Sequence, residues 1–167
     1  MIEFDEYNVE DENFYRALYL SALSKYDKIV SKSAIAAGEK NLIDPNCIKI
    51  IVKKTGEKIG IISFFIEKPY CHISGFIISD LYKGSGIGSI VLNELEKYLV
   101  DIEIEKIILS TMRKNILGIK FYLKNGYEII EKSDFCLDMN NSFERKNIIF
   151  FEKSIDKNIL AKYNGYK

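Results

Sequence analysis

The fold is decided by the stretch Tyr82-Lys83-Gly84-Ser85-Gly86-Ile87-Gly88-Ser89. A strand is predicted before it, over residues 71–78, and a helix after it, whose apolar side chains recur at helical spacing. The members of that predicted face are Ile87, Val91, Leu95, Tyr98 and Leu99, with Ile90 beside them. Three glycines at the start of a helix leave successive backbone N–H groups uncovered where the helix dipole is positive. The stretch therefore predicts an anion cradle that holds a pyrophosphate without needing a charged side chain.

A second pattern follows along the chain. Residues 106–111 are typical of a buried strand, and Asn115 precedes a short helix that contains Phe121 and Tyr122 and stops at Asn125-Gly126. A further strand is predicted over residues 127–131. The order of these elements indicates a parallel crossover connection between the strands on either side of the first helix.

Together the two patterns resemble the GNAT family of N-acetyltransferases. The family's acetyl-CoA signature, Gln/Arg-x-x-Gly-x-Gly/Ala, is matched by residues 83–88 with lysine in the first place. Its second hallmark, Asn…Phe-Tyr-x-x-x-Gly-Phe, is matched by residues 115–127 with tyrosine in the last place. Lys83 still reaches a phosphate as a point charge, although it lacks the planar multidentate bonding of arginine. The resemblance implies an acetyl-CoA-binding core over about residues 71–131.

The resemblance also implies which residues bind acetyl-CoA. The backbone amides of the glycine loop would hold its pyrophosphate, and the strand before the loop would pair with its pantetheine arm like an added strand. The amide near Ile78 would polarise the acetyl carbonyl. Asn115 would hydrogen-bond the same arm, while its other reading is the N-cap of the following helix. The predicted cofactor-binding residues are Phe76, Ile77, Ile78, Lys83, Gly84, Ser85, Gly86, Ile87, Gly88, Ser89, Asn115 and Tyr122.

Two residues are candidates for the chemistry. Tyr122 matches the family tyrosine that protonates the leaving thiolate, and its alternative role is to pack beside Phe121. In some relatives an acid lies eleven positions before the signature and removes the proton of the amine. That position is His72 here, and an imidazole titrates in the useful range. The alternatives are that His72 is only a half-exposed strand residue, that Asp80 or Glu67 is the base, or that a water chain replaces it.

Composition limits the other classes. The 24 basic and 24 acidic side chains cancel, which disfavours a nucleic-acid partner. Cys47, Cys71 and Cys136 lie far apart without CxxC spacing, and His72 is the single histidine, so neither a disulfide framework nor a metal site is predicted. The acidic N-terminus has no signal-peptide pattern, and the longest apolar run, residues 59–66, is too short for a bilayer. We expect a cytoplasmic protein with no membrane partner.

The rest of the chain predicts a mixed, mainly antiparallel central sheet flanked by helices, of the α/β (α+β) class. With 167 residues and no linker or repeat, a single domain over residues 1–167 is expected. Strands are predicted over residues 2–7, 47–53, 58–68 and 147–154, with 133–138 as a possible continuation of the strand before it. Helices are predicted over residues 10–24, with Asn8 as the N-cap and Phe14, Leu18 and Ala22 on one face, and over residues 28–40. Loops are predicted over residues 41–46 and 139–146, and the tail 155–167 as a short helix or partly disordered.

The function that the resemblance implies is acetyl transfer from acetyl-CoA directly to a primary amine, without a metal. The acceptor, a small molecule or a peptide or protein, would bind between residues 10–40 and 132–147. The first alternative is a non-catalytic acyl-CoA-binding or regulatory protein. The second is a dinucleotide-binding domain, which is disfavoured because the third glycine of that fingerprint falls at Ser89. Exposed strand edges near the C-terminus suggest a possible homodimer.

Overall fold

The computed structural model describes residues 1–26, 28–131 and 147–156. These residues form seven strands and four α-helices, with single 3-10 turns before the first and third helices. The strands are β1 (Ile2–Glu6), β2 (Ile48–Lys54), β3 (Glu57–Glu67), β4 (Tyr70–Ile78), β5 (Lys106–Met112), β6 (Glu128–Ile130) and β7 (Ile148–Ser154). The helices are α1 (Glu12–Leu23), α2 (Lys28–Ile43), α3 (Ile87–Asp101) and α4 (Ile116–Lys124).

The seven strands form a mixed sheet in the order β1-β2-β3-β4-β5-β7-β6. The pairs β1–β2, β2–β3, β5–β7 and β6–β7 are antiparallel. β4 and β5 are parallel, as expected for strands joined through α3, and their ladder runs from Tyr70↔Lys106 to Ile73↔Leu109. The predicted mixed, mainly antiparallel sheet flanked by helices is therefore confirmed.

The chain divides into two compact units. The first comprises Met1–Phe65 and Ser74–Asn93, and the second comprises Ile66–Ile73 and Glu94–Lys167. Each unit is considered below by itself. The single domain expected from the sequence stays a prediction.

In the first unit, α1 and α2 cover a core built on β2 and β3. Its buried members are Tyr15, Leu18, Leu42, Ile51 and Ile61. The N-cap expected at Asn8 is present, since its side chain accepts from Glu10 N at 2.9 Å and begins the 3-10 turn before α1. Two details differ from the sequence prediction. Phe14 and Ala22 are only half-buried, because Tyr15 and Leu23 occupy the innermost positions of α1.

The predicted loop over residues 41–46 is wrong at its start. α2 continues to Ile43, and both Asn41 and Leu42 are buried in its last turn. The helix stops just before Pro45, whose ring disfavours the helical conformation at the preceding residue. Burial of Leu42 against the sheet favours the extra turn that local patterning did not reveal.

In the second unit, the core lies between β5, β7 and the end of α3. Its fully buried residues include Leu99, Ile107, Leu109 and Phe151. The predicted face of α3 is wrong at two places, because Tyr98 is 47% exposed and Ile90 is 45% exposed. Leu92, Glu96 and Val100 are buried on that helix instead.

Several predictions lie outside the described residues. These are a strand over residues 133–138, a loop over 139–146 and the structure of the tail beyond residue 156. Across the described part of the chain, no helix combines the length and the apolar character needed to cross a membrane.

Candidate functional site

The glycine loop begins after a short 3-10 turn and ends at the first residue of α3. Gly84 and Gly86 have φ values of +77° and +82°, in the left-handed region that favours glycine. A Cβ atom added at either residue would meet nothing within 4 Å. Glycine is therefore needed here for the backbone conformation, and the space beside it is open.

The sequence predicts uncovered backbone amides at the start of α3, and the structure differs from that prediction at Ser89. The first hydrogen bonds of the helix are donated by the amides of Ser89 and Ile90 to the carbonyl of Gly86, at 3.1 and 3.2 Å. The amides that precede them belong to the first turn, which has no acceptor within the helix. The Ser89 amide is engaged, so its hydroxyl is its available polar group. Ser85 Oγ donates to the carbonyl of Tyr82 at 2.5 Å and holds the loop in place.

Lys83 carries its charge beside this loop, paired with an acid. Asp80 is ion-paired with both Lys83 and Lys25, and its carboxylate lies 2.9 Å from Lys25 Nζ. The three side chains together carry one net positive charge. Hydrogen bonds from Lys25 and Lys83 lower the pKa of Asp80. A carboxylate held in this way is a weak proton acceptor, which disfavours Asp80 as the general base.

The second half of β4 approaches β3 closely. A Cβ atom at Gly60 would lie 2.7 Å from the carbonyl oxygen of Ile77, and Ser79 N donates to Ile59 O at 2.8 Å. The β4 ladder with β5 ends at Ile73, while β4 itself runs on to Ile78. Residues 76–78 thus belong to a strand segment that continues beyond that ladder.

Asn115 is the N-cap of α4, which is the second of the two roles that the sequence predicts for it. Its Oδ1 accepts from Gly118 N at 3.0 Å, and its Nδ2 donates to Thr111 Oγ1 at 2.9 Å. A Cβ atom at Gly118 would overlap Nδ2 and lie 2.7 Å from Cγ of the same side chain. A glycine inside a helix lowers stability by about 1 kcal/mol, but here Gly118 also makes room for the Asn115 cap.

Tyr122 is buried in an aromatic cluster. Its ring centroid lies 5.3 Å from that of Phe121, 5.7 Å from that of Tyr127 and 5.5 Å from that of Phe151, and the residue is 8% exposed. Packing therefore fixes the ring, as one reading of the sequence expected. Fixing a phenol in this way is also what a proton donor requires, so the two roles are compatible.

His72 lies on β4 opposite Ile108 of β5 and is half-buried. Burial lowers its pKa below the usual value because desolvation disfavours the imidazolium form. Burial thus favours the neutral form of the ring, and the same shift makes it a weaker proton acceptor than a free imidazole. Its role as the general base stays a prediction.

Sequence reasoning missed a buried ion pair in the second unit. Glu96 is 5% exposed, and Lys153 Nζ lies 2.8 and 2.7 Å from its two carboxylate oxygens. Burial raises the pKa of Glu96 despite that lysine. The spacing of Leu92, Glu96 and Val100 on one face of α3 is the signal that would have identified Glu96 as buried, although not its partner Lys153.

The predicted site residues thus fall into two groups. The first unit contains residues 76–78 and the loop at 83–89, and the second contains His72, Asn115 and Tyr122. The predicted acceptor segment at 132–147 lies almost entirely outside the described residues. Among those that are described, no cluster of three or more His, Cys, Asp and Glu side chains is arranged to hold a metal ion.

The sequence profile of the acetyltransferase (GNAT) family matches residues 7–127, which is most of the chain. The chain therefore belongs to this family. The uncharacterized protein YdhI of Bacillus subtilis (strain 168) is 31% identical to it over 77 residues. Those residues are 46% of this chain and 47% of YdhI, so the match spans about half of that relative's length.

Solved structures share the fold at low sequence identity. The PaiA N-acetyltransferase from Thermoplasma acidophilum, crystallised in complex with coenzyme A, is 19% identical with a TM-score of 0.69, over 92% of this chain and 99% of that one. An acetyltransferase of the GNAT family from Staphylococcus aureus Mu50 is 18% identical with a TM-score of 0.69, over the same shares. At these identities the likeness shows the fold alone.

Proposed function

We propose that this protein is an acetyl-CoA-dependent N-acetyltransferase that transfers the acetyl group directly to a primary amine. The observation that carries the proposal is the loop before α3, where Gly84 and Gly86 have left-handed φ values and the first amides of the helix have no helical acceptor. Family membership and the coenzyme A complex of the Thermoplasma acidophilum relative support acetyl-CoA as the cosubstrate.

The residues present suit binding of each part of acetyl-CoA. The loop amides and the Ser89 hydroxyl would bind the pyrophosphate, with Lys83 contributing charge once a phosphate competes with Asp80 for it. The backbone of residues 76–78 would pair with the pantetheine arm, on the strand that runs past its ladder with β5. The second hydrogen of Asn115 Nδ2 would also be available to that arm, because Thr111 takes only one.

The proposed reaction is a direct displacement at the thioester carbonyl. The neutral amine nitrogen forms a C–N bond to that carbon, and the amide near Ile78 stabilises the negative charge that develops on its oxygen. The C–S bond then breaks, and Tyr122 gives its proton to the leaving thiolate. His72 would accept the first proton, which the acceptor ammonium loses before attack. The second proton, which the nitrogen loses as the C–N bond forms, would restore the Tyr122 phenol, so the amide product, free CoA thiol and one released proton balance the reaction.

Alanine substitutions with a matched control test the loop. Gly84→Ala and Gly86→Ala each place a side chain at positive φ, which costs about 1–2 kcal/mol of stability. Gly56→Ala is the control, since Gly56 has φ +79° in the β2–β3 turn and also meets nothing within 4 Å. All three are expected to lose similar stability in urea unfolding, but only the two loop variants should lose CoA affinity by calorimetry, about tenfold or more. Equal CoA affinity in all three variants would contradict the loop assignment.

Turnover separates transfer from binding alone. Thiol release from acetyl-CoA is measured with a panel of amines for the wild type and Tyr122→Phe. We expect Tyr122→Phe to lose turnover while its CoA affinity stays unchanged. CoA binding without thiol release on any amine would instead support the non-catalytic acyl-CoA-binding protein.

The setting proposed for this activity is the cytoplasm, without nucleic-acid or membrane partners. A homodimer is also proposed, because β6 ends the order of described strands and Ile129 on it is 53% exposed. Sedimentation equilibrium tests this point, and a monomer at micromolar concentration would contradict it.

A further inference from the structure

Three charged side chains meet beside the glycine loop, and the family signature includes one of them. Asp80 Oδ1 is bonded by Lys83 and also accepts from Lys25 Nζ at 3.0 Å, while Asp80 Oδ2 lies 2.9 Å from the same Lys25 nitrogen. Lys83 begins the signature, whereas Lys25 lies 55 positions before Asp80 in the chain. All three residues belong to the first unit. One carboxylate thus holds two ammonium groups that come from different parts of the chain.

Hydrogen-bonded turns fix the backbone at both lysines. Asp80 begins the 3-10 turn that precedes the loop, and Lys83 N donates to its carbonyl oxygen at 3.3 Å. α1 ends at Leu23, and Tyr26 N donates to Leu23 O at 3.1 Å in the turn that contains Lys25. The Asp80 carboxylate therefore brings the end of α1 and the start of the glycine loop together.

The cluster has more positive charge than its carboxylate neutralises. Hydrogen bonds from both lysines lower the pKa of Asp80, so the carboxylate stays ionised and one positive charge is in excess. The chain contains no other acid between Asp80 and Glu94. Lys54 and Glu57 both contact the Tyr82 side chain and cancel each other. Because the two ammonium groups repel each other, the surplus charge favours a further anion beside the loop.

Stability does not account for the second lysine. The side chains of Lys25 and Asp80 are 47% and 51% exposed, and ion pairs this exposed contribute little to folding. Lys83 by itself would already neutralise the carboxylate. An ammonium group has three donors, so each lysine can bind a phosphate oxygen while it stays near Asp80.

We propose that Lys25 is a further cofactor-binding residue, which binds the pyrophosphate of acetyl-CoA together with Lys83 while Asp80 holds both ammonium groups beside the loop. This rests on the proposed acetyl-CoA-dependent function and extends its site to the end of α1. The first place of the signature is lysine here, a point charge without the planar fork of arginine. Lys25 supplies the second group of donors that a guanidinium would offer. Asp80 positions the lysines and also competes with the phosphate for them.

Two substitutions that break the same ion pair test the proposal. Lys25→Gln removes the cation, whereas Asp80→Asn removes the competing anion. By calorimetry, we expect the Kd for CoA to rise about fivefold in Lys25→Gln and to fall about two- to threefold in Asp80→Asn. Lys25→Arg keeps the charge and should bind CoA like the wild type. If Lys25 only held the loop in place, both Lys25→Gln and Asp80→Asn would raise the Kd, and that result would overturn the proposal.

Lys97→Gln is the matched control. Lys97 forms a similarly exposed ion pair with Glu94, at 2.8 Å and with side-chain exposures of 39% and 44%, and is not among the proposed binding residues. Its substitution should leave the Kd for CoA unchanged. Raising the ionic strength from about 0.05 to about 0.5 M should weaken CoA binding less in Lys25→Gln than in the wild type and Lys97→Gln, because one screened contact is missing. The same salt dependence in all three proteins would contradict a direct contact.

Ligands that lack parts of CoA locate the contact. Dephospho-CoA keeps the pyrophosphate but has no phosphate on its ribose, and pantetheine has no phosphate at all. The loss of affinity in Lys25→Gln should be the same for CoA and dephospho-CoA and absent for pantetheine. A loss with CoA but none with dephospho-CoA would overturn the pyrophosphate assignment.

Inorganic pyrophosphate separates this inference from the proposed function. The Tm is recorded with and without pyrophosphate at constant ionic strength. A rise in the wild type and Lys97→Gln but not in Lys25→Gln would support the anion site even if no acetyl-CoA is bound or turned over. CoA binding that is unchanged in Lys25→Gln would overturn the inference and leave the proposed function intact. No response of the wild type to either pyrophosphate or CoA would overturn both.

Discussion

Two stacked tyrosines, Tyr15 and Tyr19, allow a sharp test of hydrogen-bond energetics, because among the described residues only Tyr15 Oη has a partner within hydrogen-bond geometry. Tyr15 Oη donates to the carbonyl of Gly38 at 3.3 Å, whereas Tyr19 Oη has no partner among the described residues. Replacing each with phenylalanine removes one hydroxyl and leaves the ring and its packing in place. The two variants therefore differ mainly in whether a hydrogen bond is lost.

The expected free energies have opposite signs. Tyr15→Phe loses one long neutral hydrogen bond, which is worth about 0.5–1.5 kcal/mol of stability. Tyr19→Phe removes a buried polar group that costs about 1–3 kcal/mol when it is unsatisfied, so the variant should be as stable as the wild type or up to about 2 kcal/mol more stable. The gap between the two variants should be about 0.5–3.5 kcal/mol, and each kcal/mol corresponds to about 2–4 °C in Tm.

Equilibrium urea unfolding of the wild type and both variants measures this gap. An unchanged m-value would confirm that the variants unfold from comparable states. If Tyr19→Phe loses as much stability as Tyr15→Phe, then Tyr19 Oη has a hydrogen-bond partner in solution, and the reasoning from an unsatisfied hydroxyl is refuted.

A double-mutant cycle checks the geometry behind the same argument. A Cβ atom at Gly75 would overlap Tyr19 Oη and lie 2.6 Å from Ser63 Oγ, so Gly75→Ala should cost about 1–3 kcal/mol through overpacking. In the Tyr19→Phe background part of that cost should disappear, while the contact with Ser63 remains. Strict additivity of the two substitutions would show that the hydroxyl does not approach Gly75.

Three further results are expected. Replacing a glycine inside a helix by alanine usually raises the free energy of unfolding by about 1 kcal/mol. Gly118→Ala should not show this gain in urea unfolding, because the added side chain displaces the Asn115 cap. The gain should appear only in an Asn115→Ala background. Lys153→Met should lower the free energy of unfolding by about 3–5 kcal/mol, because it leaves Glu96 buried without its cation. The double variant Lys153→Met/Glu96→Leu should recover most of that stability. An equal loss in the single and the double variant would refute the pairing. Burial lowers the pKa of His72 in the folded state, so the unfolded chain binds the proton more readily. The stability that neutral His72 contributes is therefore complete above its unfolded pKa of about 6.5 and is lost as the pH falls below that value. If His72 is the base, the acidic limb of kcat/KM should lie below that pH and be absent in His72→Gln.

Features set by neighbouring residues were predictable from the sequence. The glycine-rich loop before α3, the caps at Asn8 and Asn115 and the parallel β4–β5 connection through α3 all agree with the prediction. The loop and the caps depend on backbone conformation or on hydrogen bonds within about four residues, and the parallel connection follows from the order strand, helix, strand along the chain. Local structure of this kind depends on residues that are close together in the sequence, so a single sequence is enough to predict it.

Helix faces were predicted less well because burial is decided by what packs against a helix. Tyr98 continues the apolar periodicity of α3 yet is 47% exposed, while the charged Glu96 is buried. A charge is tolerated there only because Lys153, distant in the chain, lies against it on β7. No local pattern contains that partner.

The sequence by itself therefore determined the family, the sheet type and the position of the glycine loop. The contact of Tyr19 with Gly75, the cavity between α1 and α2 and the buried cation beside Glu96 are visible in the folded protein alone. The physical reason is that side-chain contacts between elements depend on chain positions far apart in sequence. Their energies come from packing, desolvation and charge pairing, which exist only once those elements have come together.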